Sequence, residues 1–102
     1  GAALRRIFFK IKIDGPDQAN FLKIFAMVAR KKKMPLDEKA LMHLLKDRFP
    51  TINMNYANYM PTFLIDQMIA MCEFEGIPYQ MTPDLIDRAW GNMFVRQEAI
   101  AR

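Results

Sequence analysis

The sequence predicts a mainly α-helical fold, four helices behind one short N-terminal strand. Three observations lead there. Apolar residues recur at three- and four-residue spacing in four separate stretches, 21–29, 41–49, 64–72 and 85–94. Each stretch follows a helix-start signal: Pro16-Asp17, Asp37-Glu38, Pro61 and Thr82-Pro83-Asp84. Period-two alternation occurs clearly once, in the run from Ile7 to Ile13, IFFKIKI. With 102 residues, about half of them hydrophobic, the chain has the size of one domain with one core.

In the run 7–13, Ile7, Phe9, Ile11 and Ile13 share one face and Phe8, Lys10 and Lys12 the other. A strand by itself leaves its ladder groups unpaired. Short partners are available at Ile52–Tyr56 or Ile77–Met81, or the strand is the trailing edge of a preceding domain. The division expected is therefore 1–13, strand and linker, then 14–102, helical domain.

Asp14-Gly15-Pro16-Asp17 breaks the strand and opens the first helix, which the spacing carries to about Lys33. Phe21, Leu22, Ile24, Phe25, Val28 and Ala29 form its apolar face, and Arg30-Lys31-Lys32-Lys33 its cationic end. Asp37 can cap the second helix, whose stripe is Leu41, Leu44, Leu45 and Phe49, with Pro50 ending it. His43 lies off the centre of that stripe and reads as an ordinary surface or half-buried residue. Residues 50–60 form the longest irregular stretch, and Tyr56 and Tyr59 read there as a cover over the core.

The third helix, PTFLIDQMIAMCEFEG, is the central one. Leu64, Ile65, Met68, Ile69, Met71 and Cys72 give it a broad apolar surface, Pro61 starts it, and Gly76 followed by Pro78 stops it. Thr82 caps the fourth helix, and Leu85, Ile86, Ala89, Trp90, Met93 and Phe94 turn inward. Gly91 weakens that helix intrinsically and reads as the point of a close helix contact.

Composition removes several function classes. No serine is present, so there is no serine nucleophile. One cysteine and one histidine leave no Cys/His metal cluster, and no metal site is expected. Gly1, Gly15, Gly76 and Gly91 are too scattered for a phosphate-cradling loop. The lone Cys72 suits a reducing compartment, and no apolar run approaches the roughly 20 residues that cross a bilayer, so a cytoplasmic protein away from membranes is expected. A net charge of +4 is mildly basic.

Leu4-Arg5-Arg6-Ile7 with Lys10-Ile11-Lys12-Ile13, then Asp14-Gly15-Pro16, then Pro61 with Leu64, Ile65 and Asp66, and finally Thr82-Pro83-Asp84-Leu85-Ile86-Asp87-Arg88-Ala89-Trp90 follow one another in a telling order. Together they resemble the small C-terminal helical lid domain of AAA+ ATPases, over nearly the whole chain. The resemblance implies a four-helix lid-type bundle, cut from a longer chain whose phosphate-binding domain precedes it. Such a lid closes the nucleotide site and couples ATP hydrolysis to subunit motion. ATP and Mg would be held by the full-length protein, not tightly by this fragment, which would not catalyse alone. The partners implied are the P-loop domain of the same protein and neighbouring subunits of a homo-oligomer.

The resemblance also implies site residues. Arginines at the exit from the large domain serve such families as arginine fingers acting on a neighbour's nucleotide, and Arg5 and Arg6 stand at that position. A finger stabilises the phosphoryl-transfer transition state and is worth roughly 10³–10⁵ in rate in well-studied GTPases. The sensor-2 position of such lids reads Pro-Arg-x-Leu-Leu, whereas this chain has Pro61-Thr62-Phe63-Leu64-Ile65. Pro61 and Thr62 thus mark the nucleotide-facing region with its arginine replaced. Thr62 offers a neutral hydrogen bond but no charge against phosphate. The runner-up reading is a freestanding basic helical module binding nucleic acid, with Arg30–Lys33, Lys10, Lys12, Arg96 and Arg102 supplying charge and Tyr56 and Tyr59 stacking.

Overall fold

A computed structural model describes residues 6, 9–10, 15–48 and 59–101, with side chains as far as Met93. Four helices make up the fold among these residues: α1, Gly15–Lys31; α2, Glu38–His43, continued by a π-helical turn over Leu44–Arg48; α3, Met60–Glu75; and α4, Pro83–Ala101. The expected four-helix, mainly α architecture is the one observed. Most of the expected strand over 7–13 and its first candidate partner, 52–56, lie outside the described residues, as do Phe49, Pro50 and Tyr56. Phe9 and Lys10 are described, and their backbone is helical. The second candidate partner, 77–81, is an irregular connector rather than a strand.

The helix starts follow from local chemistry. Gly15 holds φ at +87°, a conformation that side chains resist, immediately before Pro16. The Asp37 carboxylate accepts the Ala40 N–H at 2.9 Å, and the Thr82 hydroxyl accepts the Leu85 N–H at 3.1 Å. Both are side-chain N-caps of the kind their sequences signal. Gly76 takes the left-handed conformation at the end of α3, with φ +69°.

α3 packs on α1 along one flank and on α4 along the other, while α2 packs on α4. That central position explains why α3 is apolar over so much of its circumference. Leu64, Ile65, Met68 and Cys72 are fully buried, as are Leu22 and Phe25 of α1, Leu41, Leu44 and Leu45 of α2, and Ile86 of α4. They belong to one continuous core. Each large side chain so buried contributes roughly 1.5–3 kcal/mol. The Cys72 thiol donates to the Gln80 carbonyl at 3.6 Å, which confirms it as a core group.

Four details differ from the expectation. α1 ends at Lys31, two residues early, because Lys33 turns left-handed (φ +62°) and sends Met34 into the core. Ile24 and Val28 are only half-buried; the inward face of α1 is set by Gln18, Phe21, Leu22, Phe25, Ala26 and Ala29. The π-helical turn carries no signal in the periodicity. Gly91 makes no close contact: a Cβ built there meets nothing within 4 Å. No described helix is long and apolar enough to cross a membrane.

Candidate functional site

The region singled out by sequence is the start of α3. Met60 and Pro61 are buried, and Thr62 is exposed beside them. Tyr59, at the cap position, does not cap the helix with its side chain, and the first turn holds no acidic residue. The positive end of the helix dipole therefore meets no acidic side chain of its own first turn, a setting that favours an anion. Of the two arginines predicted as fingers, Arg6 is exposed on helical backbone and Arg5 lies outside the described residues.

A second constellation, absent from the sequence reading, joins α2 to α4. His43 lies with Nδ1 2.8 Å from Asp47 Oδ2 and Nε2 2.6 Å from Asp87 Oδ1. Arg48 donates to the same Asp87 oxygen from Nε and Nη2, each at 2.8 Å. The π turn makes this convergence possible. On a regular α-helix, residues five apart point about 140° from each other. Wider i→i+5 winding closes that angle and brings Arg48 round to the side of His43.

The electrostatics follow from the geometry. The hydrogen bond to Asp87 raises the His43 pKa above its ordinary 6.5; partial burial opposes the rise and Asp47 adds to it. Burial pushes the Asp87 carboxyl up, but hydrogen bonds and charge from His43 and Arg48 outweigh it and hold the group below its ordinary 3.8. Both ring nitrogens of His43 are engaged by carboxylates. It is thus built as an ion-pair node between helices and not as a free general base. Among the described residues no group of three His, Cys, Asp or Glu side chains could hold a metal ion.

Arg88, exposed on α4, faces Glu75 at 3.5 Å and Asp84 at 3.8 Å. Beside Arg88 an open groove runs between α3 and α4, lined by Met71, Phe74, Gln67 and Asn92, with Phe74 93% exposed at its lip. The i,i+4 spacing of His43 and Asp47 was readable in the sequence as a helical pair. Asp87, 44 residues away from His43, carried no such signal.

A small four-helix domain with an ion-pair node between α2 and α4 is thus the class that fold and site define. Residues 17–92 match the family described as a domain of unknown function, DUF8689, and the chain belongs to that family. No curated protein and no solved structure matches it.

Proposed function

We propose that this chain is the C-terminal helical lid domain of an AAA+ ATPase, acting in the cytoplasm within a homo-oligomer. It helps close the nucleotide site and passes the motion of ATP hydrolysis between subunits. The observation that supports this reading most is the start of α3. An exposed Thr62 follows a buried Met60-Pro61 at the head of the central helix, where the lid resemblance expects the nucleotide-facing turn. ATP and Mg belong to the preceding P-loop domain in this reading, and the lid contributes a neutral hydroxyl and a helix dipole rather than an arginine. Arg5 and Arg6 act in trans on a neighbour's nucleotide.

The test is ATP turnover by the protein with its preceding sequence, set beside residues 1–102 alone. The longer chain turns over ATP and the shorter does not. Replacing Arg5 and Arg6 together by alanine lowers turnover by at least about 10³-fold, the lower end for an arginine finger. The reading fails if no GxxxxGK[ST] loop lies within about 100–200 residues upstream, the length of a preceding domain.

A further inference from the structure

His43 sits between two carboxylates, one on its own helix and one on α4, and the distances of 2.8 and 2.6 Å are those of hydrogen bonds at both ring nitrogens. An ionised carboxylate only accepts. Both nitrogens must therefore carry protons while Asp47 and Asp87 are ionised, and a neutral imidazole, with one N–H, cannot satisfy both.

Which contact gives way is set by what else holds each carboxylate. Asp87 is anchored by Arg48 through two N–H groups on the same oxygen. The Asp47 side chain is 65% exposed, whereas that of His43 is 21% exposed, so Asp47 can turn to water at little cost. Among the described residues the charged groups around His43 are Lys39, Lys46, Asp47 and Arg48 of its own helix and Asp87 of α4. The two lysines and Arg48 oppose a positive imidazole, and the two carboxylates, in direct contact, outweigh them.

We propose that His43 is a pH-operated latch on the π turn: doubly protonated it ties Asp47 into the turn, and on losing its Nδ1 proton it releases Asp47 while Nε2–H keeps its hold on Asp87. The proton goes to solvent, Asp47 stays ionised, and the link from α2 to α4 survives. The loosened part is the turn Leu44–Arg48 and not the helix packing. The rise in the His43 pKa puts this release on the alkaline side of 6.5.

His43 is the one histidine of the chain, so its ring nitrogens are read without ambiguity. The experiment is ¹⁵N NMR of the imidazole across pH 5–9, with amide hydrogen exchange of residues 44–48 followed in parallel. The expected result is an imidazolium at low pH, a midpoint above 6.5, and the Nε2–H tautomer beyond it. Corrected for the intrinsic rise of exchange with pH, protection in 44–48 falls by several-fold across the same midpoint, while that of Ile86 and Ala89 of α4 is unchanged. Asp47→Asn lowers the midpoint and leaves the Nε2–H tautomer in place. His43→Gln, which can still donate to Asp87, removes the pH step in exchange. A midpoint at or below 6.5, an Nδ1–H tautomer, or exchange in 44–48 that ignores the titration overturns the proposal.

Discussion

Gln18 shows what one buried polar side chain does in this fold. It is 4% exposed on the inward face of α1, and its Nε2 donates to the Leu45 carbonyl at 2.8 Å. That carbonyl belongs to the last turn of α2, where helix carbonyls lose their intrahelical partners. A donor from the neighbouring helix thus ties α1 to the π turn. Gln18→Leu keeps the bulk and removes this donor, so it should destabilise the protein by about 1–3 kcal/mol, the cost of a buried acceptor left without its bond. Urea unfolding measures it as a lower midpoint at unchanged slope. Gly91 argues the opposite way. It lies on helical backbone with open space where a Cβ would stand, so Gly91→Ala should stabilise by about 0.5–1 kcal/mol in the same measurement.

At the scale of elements, the two ends of α1 and α3 are built alike from unlike residues. In α3, the Ile77 N–H reaches the Cys72 carbonyl at 3.0 Å and the Gly76 N–H the Glu73 carbonyl at 3.2 Å. In α1, the Met34 N–H reaches the Ala29 carbonyl at 2.8 Å and the Lys33 N–H the Arg30 carbonyl at 3.2 Å. Both pairs are Schellman closures, which want a left-handed residue at the first non-helical position. Gly76 adopts it freely; Lys33 does so against the clash of its own Cβ. Two features hold Lys33 there. Met34, next in the chain, is buried, and Lys32 is ion-paired with Asp66 of α3. Lys33→Gly relieves the clash and gives back part of the gain as unfolded-state entropy. A net stabilisation of about 0.5–1 kcal/mol is expected by thermal unfolding, with Gly76→Ala moving the other way by a similar amount.

For the whole molecule, stability depends on pH through the node between α2 and α4. Asp87 has a lowered pKa in the fold, so its contribution is present above 3.8 and lost as pH falls through the lower folded value. His43 has a raised pKa, so its contribution is complete below 6.5 and lost as pH rises through the folded value. The node therefore supports the fold most between pH 3.8 and 6.5. Partial exposure of His43 and Asp87 keeps the effect modest, because water screens both charges. Urea midpoints should be highest in that window and decline on its alkaline side. His43→Gln flattens the alkaline decline and leaves the acid one, since Arg48 still holds Asp87.

Helix number, starts and inward faces were legible in the residues. Asp37, Thr82 and Gly76 act within three or four positions of themselves, and Leu41, Leu64, Met68 and Ile86 repeat with the helix period. Such information is local, and a sequence states it outright. Tertiary structure decided the rest. Whether Gly91 faces a neighbour or open space depends on how α4 is rotated against α3. Whether His43 is idle or clasped depends on Asp87, which reaches it only because α2 lies on α4. The π turn that swings Arg48 round is likewise answered from outside its own helix, by Gln18 and Asp87. Periodicity tells a side chain to turn inward; only packing of one helix on another decides which group it will meet there.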